Sequence, residues 1–270
     1  MTTDQIYSDI KKKGSMLCVG LDTDFQKVPE CVKSGRSVSE AILEFNRRII
    51  DATAPYCVAF KPNLAFYEYL GHEGLKVLEK TVEHIRLNHP GQFIIADAKR
   101  GDIGNTARMY AKSYFETFDF DAVTLSPYMG SETVAPFLEY PGRFAIVVAL
   151  SSNPSSEDFQ TALKDGKPLY RTVIERMMDI SSPEDMMFVI GATKADKLKE
   201  IRSFCPDNFF LVPGVGAQGG SAAEVISGGS NHKGGLLINS SRAIIYASSG
   251  EDFAEAAAKA ASSTARINIL

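Results

Sequence analysis

Short apolar runs recur along the chain at fairly regular intervals. They are MLCVGL (16–21), YCVAF (56–60), FIIA (93–96), AVTL (122–125), FAIVVAL (144–150), MMFVI (186–190), FFLV (209–212) and GLLI (235–238). Polar residues do not alternate within them and several are β-branched, the pattern of strands covered on both faces. The segments between them have helical period. From Val38 the apolar positions continue through Ala41, Ile42, Phe45, Ile49 and Ala52, and Ser37 with Glu40 makes a capping box. A second helix is expected from about Asp102, with Ile103, Ala107, Tyr110, Ala111, Tyr114 and Phe118 on one side. A third follows Ser221, with a capping box through Glu224, and a last one begins near Asp252. Ile6, Ile10 and the lysines after them predict a short leading helix.

Eight strand-like runs alternating with helices over 270 residues predict the α/β class, as a single (β/α)8 TIM barrel with one domain spanning 1–270. The alternative is a doubly wound open sheet, which normally uses fewer strands and often carries a glycine fingerprint after the first. Here the first run ends in GLDTDF, which is not GxGxxG. No linker-like stretch divides the chain and no repeat is visible. The least regular stretches, 151–168 and 213–220, follow the fifth and seventh runs, where long loops often serve as lids.

Composition narrows the partners. A formal charge of −4 and a pI near 5.7 argue against a nucleic-acid footprint. No window approaches 18 consecutive apolar residues, so no membrane span is expected. The opening MTTDQIYSDIKKKG has no apolar core and does not read as a secretory signal. Cys18, Cys31, Cys57 and Cys205 make no CxxC pair, which predicts reduced thiols and a soluble cytoplasmic protein, with Cys18 and Cys57 in the core. His72, His84, His89 and His232 show neither HxH nor HExxH spacing, so the sequence offers no histidine metal cage.

The candidate chemistry concentrates in FIIADAKRGDIGNT (93–106), which puts Asp97, Lys99, Arg100 and Asp102 at the end of a buried strand. Charged side chains are rarely buried unless paired or in use. Residues two apart on a strand point the same way, so Asp97 and Lys99 are expected on one face, with Asp102 beyond the turn at Gly101. In a barrel the strand C-terminal ends define the working face. The polar residues there are Asp22, Lys61, Asn63, Asp97, Lys99, Asp102, Ser151–Asn153, Pro213 through Gln218, and Asn239–Arg242. Each alone has an ordinary reading: an Asp after a strand is usually a turn or cap, Lys61 a surface charge, the serines loop hydroxyls. Asp102 could merely cap its own helix, and Arg100 and Arg143 read as solvated or structural. Convergence on one ring of loops shifts the balance. PGVGAQGG brings backbone amides close to an anion, and Ser241 with Arg242 would open a short helix, so the last two loops read as a phosphate site.

The segment ADAKRGDIGNT resembles the DxKxxDIxxT signature of the orotidine 5'-monophosphate decarboxylase family. GLDTDF, FKPN, the SSNPSS loop, VPGVGAQGG and NSSRAIIYAS fall in the family's order, and the length resembles its longer, second type. The resemblance implies that Lys61, Asp97 and Lys99 serve one subunit's site while Asp102, Ile103 and Thr106 reach a neighbouring subunit's. It implies a homodimer. Asp22 would bind ribose hydroxyls with Lys61, and Asn63 would lie near the orotate and ribose. Ser152, with Ser151 adjacent, would meet the pyrimidine edge. Pro213 would border the base, and Gln218, Ser241 and Arg242 would hold the phosphate; many members have Gly where this chain has Ser241.

The chemistry so implied is decarboxylation of a nucleotide to UMP, a step of de novo pyrimidine biosynthesis, with no metal and no organic cofactor. Loss of CO2 at C6 leaves a carbanion in the ring plane that the π system cannot delocalise, so a fixed charge must stabilise it. Lys99 would supply that charge and the proton, kept cationic in an alternating row Lys61–Asp97–Lys99–Asp102. The competing readings are a metal-dependent sugar-phosphate lyase or synthase, a Schiff-base aldolase using neutral Lys99 or Lys61, and a non-catalytic phosphate-binding barrel.

Overall fold

A computed structural model describes residues 1–214 and 221–267. Helix α1 (Thr3–Lys13) leads in, capped at Thr2 by a reciprocal bond with Gln5 and closed by left-handed Gly14. The barrel strands are β1 (Leu17–Gly20), β2 (Ala59–Lys61), β3 (Phe93–Arg100), β4 (Ala122–Leu125), β5 (Phe144–Leu150), β6 (Met186–Ile190), β7 (Phe210–Pro213) and β8 (Leu236–Ser240). They pair in parallel around a closed ring, β1 meeting both β2 and β8. The helices after them are α2 (Glu30–Lys33), α3 (Val38–Thr53), α4 (Ala65–Glu68), α5 (Gly71–Asn88), α6 (Gly104–Lys112), α7 (Leu169–Met178), α8 (Ala195–Phe204), α9 (Ala222–Gly229), α10 (Arg242–Ile245) and α11 (Phe253–Ile267). This is the (β/α)8 TIM barrel that the eight runs predict.

Both faces of the strands are covered, which is why the runs are continuously apolar: β1, β4 and β6 are buried at every position. The Ser37–Glu40 capping box forms as read, and α3 lays Ala41, Ile42, Phe45, Ile49 and Ile50 into the core. Ser221 Oγ accepts the amide of Glu224 at 3.4 Å, marking the start of α9.

Three boundaries differ from the pattern-based expectation. First, β2 starts later than 56–60, because Tyr56 still bonds back to Thr53 and ladder pairing begins only at Val58. Lys61 thereby becomes a strand residue. Second, β3 runs past the apolar FIIA to Arg100, through a register shift against β4. Lys99 sits in this bulge with φ of 47°, a conformation strained for a side-chain-bearing residue. Third, α6 starts at Gly104 rather than Asp102 and passes into a π-helical turn, Ser113–Thr117. That wide turn keeps Tyr114 and Phe115 in the core. The stretch 151–168 is not wholly irregular, since it holds a 3₁₀ turn (Pro154–Asp158) and a small hairpin.

Candidate active site

At the C-terminal mouth of β2 and β3 the charges link in a row. Lys61 Nζ lies 2.7 Å from Asp97 Oδ2, and Lys99 Nζ lies 2.5 Å from Asp97 Oδ1. Asp22, just past β1, puts Oδ1 4.0 Å from Lys61 on the other side. Lys61 is only 4 % exposed, so it is no surface charge. Burial alone would lower its pKa, but the Asp97 and Asp22 carboxylates outweigh that and raise it. Burial would raise the Asp97 pKa, and the two flanking ammonium groups instead pull it well below the usual carboxylate range. Both groups are therefore held charged.

The convergence of Asp97 and Lys99 does not come from regular pleating, as the two-residue alternation suggests. It comes through the bulge, and Thr124 on β4 makes the bulge tolerable. Its Oγ1 accepts the amides of Ala98 (3.0 Å) and Lys99 (2.9 Å), which would otherwise lose ladder partners, and donates to Asp97 Oδ1 at 3.1 Å. Thr124 was not legible as a site residue, its one signal being a hydroxyl inside the apolar run AVTL. Asn63 forms a bridge with Asp97 through the backbone, while its Oδ1 accepts the Ala65 amide.

Asp22 rests on a tyrosine brace that the sequence did not reveal either. Tyr246 donates to the Asp22 carbonyl and accepts the Asp24 amide, and buried Tyr67 donates to the Leu21 carbonyl. Two buried oxygens, Asp22 Oδ1 and Asn239 Oδ1, have no hydrogen-bond partner among the described residues. Both line a polar cavity of about 190 Å³ with Lys61, Asp97, Pro213, Ser241 and Arg242. Unpaired buried acceptors facing a cleft suit a ligand that brings hydroxyl donors. Gly20 allows the approach of β1 to Ser241, because a Cβ there would fall 1.7 Å from Ser241 Oγ. Arg242 is exposed at the start of α10.

Lys99 also borders a larger, mostly apolar cavity of about 670 Å³, walled by Val148, Phe159, Gln160 and Tyr170. Of the adjacent serines after β5, Ser151 spends its hydroxyl on Asn153 and Gln160. Ser152 packs its backbone against Gly191, where a Cβ would lie 2.6 Å from the Ser152 nitrogen. Gln218 lies outside the described residues. Asp102, Ile103 and Thr106 do not join this chain's own row. Asp102 accepts only the Ile103 amide, at 2.8 Å, and takes part in no ion pair among the described residues. It does not cap α6, whose N-cap is Ile103. Ile103 and Thr106 face outward, Ile103 being 43 % exposed.

Of the two readings left open for Arg100 and Arg143, the contacts favour the structural one: Arg100 binds Glu68 and the Ala98 carbonyl, and Arg143 binds Asp119.

A family model described as orotidine 5'-phosphate decarboxylase / HUMPS family matches residues 15–259. The chain belongs to that family. It is 54 % identical over 262 residues to an orotidine 5'-phosphate decarboxylase of Parabacteroides distasonis, covering 97 % of this chain and 92 % of the relative. A Phocaeicola vulgatus protein of the same name is 52 % identical over 97 % of this chain and 95 % of its own. Among solved structures, the Leishmania donovani OMP decarboxylase is 32 % identical with a TM-score of 0.82, and the match covers 100 % of both chains.

Proposed function

We propose that this chain decarboxylates orotidine 5'-monophosphate to UMP, a carboxy-lyase step of de novo pyrimidine biosynthesis, without metal or organic cofactor. The row Lys99–Asp97–Lys61–Asp22 at the mouth of the barrel carries the proposal, in a chain about half identical to proteins named for that reaction.

In this reading Lys99 stands beside C6 of the pyrimidine. As CO2 leaves, the electron pair of the C6–carboxylate bond stays on C6 in the ring plane, and the ammonium stabilises it before giving up a proton. A charge already in place needs no reorganisation at the moment of reaction. Asp97 holds the ammonium and, near the departing carboxylate, disfavours the ground state. Asp22, with its unpaired oxygen, takes ribose hydroxyls together with Lys61, and Asn63 lies near them. Ser152 meets the pyrimidine edge, Pro213 borders the base, and Ser241, Arg242 and Gln218 hold the phosphate. Binding energy from the phosphate, remote from C6, positions the base against the row. The raised pKa of Lys61 disfavours an aldolase built on that residue, whose amine must be neutral to attack a carbonyl.

The enzyme acts as a cytoplasmic homodimer in this proposal, with Asp102, Ile103 and Thr106 completing the partner's site. Support comes from Asp102, which forms no ion pair among the described residues, and from the exposed apolar side chains of Ile103, Met109, Tyr128 and Met129. The exposed thiol of Cys31 and three buried ones suit a reducing compartment. The test is the absorbance change as purified protein converts orotidine 5'-monophosphate to UMP, with EDTA present. Turnover in EDTA is expected; its absence overturns the reading, and restoration by a divalent metal favours the metal-dependent lyase. Mixing inactive Lys99→Ala and Asp102→Ala chains tests the shared site: heterodimers should recover part of the activity, and no recovery counts against sharing.

A further inference from the structure

On the far side of the barrel, Asp51, His84 and His89 converge although no histidine spacing announces them. Asp51 is on the last turn of α3, His84 on the last turns of α5, and His89 follows that helix directly. Both helices lead into the N-terminal ends of strands, so the cluster lies at the face opposite the Lys61–Asp97–Lys99 row. His84 Nε2 lies 2.8 Å and His89 Nε2 2.7 Å from the same Asp51 oxygen, and the three atoms all lie within 4.8 Å of one another. The imidazoles are mostly shielded, 13 % and 22 % exposed, while Asp51 is 53 % exposed.

We propose that these three residues form a binding site for zinc or a similar late first-row divalent cation, clamping α3 to the end of α5. Two imidazole nitrogens and one carboxylate oxygen are the donor set such cations prefer, with the fourth tetrahedral position open to water. Bond lengths of about 2.0–2.1 Å place tetrahedral donors about 3.4 Å apart. The two His–Asp contacts must therefore open by about 0.6 Å and the imidazole nitrogens, at most 4.8 Å apart, settle at the same spacing, for which the half-exposed Asp51 side chain has room to move. Cation binding at Nε2 leaves the ring proton on Nδ1. The face is remote from the proposed chemistry, so the cation stabilises the fold and takes no part in turnover.

The probe is Zn²⁺ added to tag-free protein stripped with EDTA, in a Cys31→Ser background that removes the exposed thiol. Calorimetry should show one ion per chain, and saturation at about 100 times Kd should raise the melting temperature by about 5 °C. Both effects should vanish in His84→Gln/His89→Gln, with decarboxylation unchanged. No saturable binding, or binding undiminished in the double variant, overturns the site. Should that variant fold poorly, Co²⁺ on the parent decides independently. Intense visible bands of four-coordinate nitrogen and oxygen ligation support the site, and the pale spectrum of the hydrated ion refutes it.

Discussion

Replacing Asp97 by Asn removes the anion between two cations and should cost stability as well as activity. Lys61 and Asp97 side chains are 5 % and 10 % exposed and 2.7 Å apart, so their gross attraction is about 6 kcal/mol at an effective dielectric near 20. Desolvation offsets much of this, but taking away one partner of a buried pair leaves the other charge uncompensated, at about 3–5 kcal/mol. Asp22, 4.0 Å from Lys61, keeps a gross attraction of about 4 kcal/mol at the same dielectric, so the loss falls at the lower end of that range, and the half-exposed Lys99 contact adds about 1 kcal/mol or less. The melting temperature, followed by circular dichroism, should fall by about 10 °C. Its pH dependence carries a sign. The folded-state pKa of Asp97 is depressed, so its contribution is complete above the unfolded carboxylate value and fades as pH falls through the folded one. The gap between parent and variant should therefore be constant above about pH 5 and narrow below about pH 4. A variant melting within a degree or two of the parent at pH 7 would refute the account of the row.

Other expectations follow from the same geometry. Lys99→Ala should lower kcat by about 10⁴-fold or more, yet barely move the melting temperature, because the side chain is 54 % exposed. A large loss of stability would show Lys99 to be structural. Thr124→Val orphans two amides and should cost about 2 kcal/mol in a urea titration, together with a lowered kcat, while Thr124→Ser should restore both. Equal behaviour of the Val and Ser variants would contradict the bulge-holding role. Gly20→Ala drives a methyl into Ser241 and should raise KM, as should Arg242→Ala. An unchanged KM in both would remove the phosphate assignment from this loop.

The fold was legible because burial on both faces makes each barrel strand a plain apolar run, and β4, β5 and β6 match their runs to the residue. The start of β2 and the end of β3 were harder to see. There the chain trades hydrophobic signal for charge, and pairing is decided by cross-strand bonds such as those of Thr124. The row itself was half visible. Asp97 and Lys99 stand out against their apolar neighbours, but Asp22 and Lys61 join them only through the lateral pairing of β1, β2 and β3. Tyr246 lies more than two hundred positions from the loop it braces, and a tyrosine at the end of a short helix carries no mark of that task. The Asp51–His84–His89 cluster escaped for the same reason, since its members come from two helices and match no local spacing.

The most direct test of the central claim is the structure of the protein with UMP bound. The Lys99 ammonium should stand within about 3–3.5 Å of C6, the reach a proton donor needs, with Asp97 still bridging it to Lys61 and the phosphate on Arg242. An ammonium remote from the pyrimidine ring, or a base bound in the apolar cavity away from the row, would contradict it.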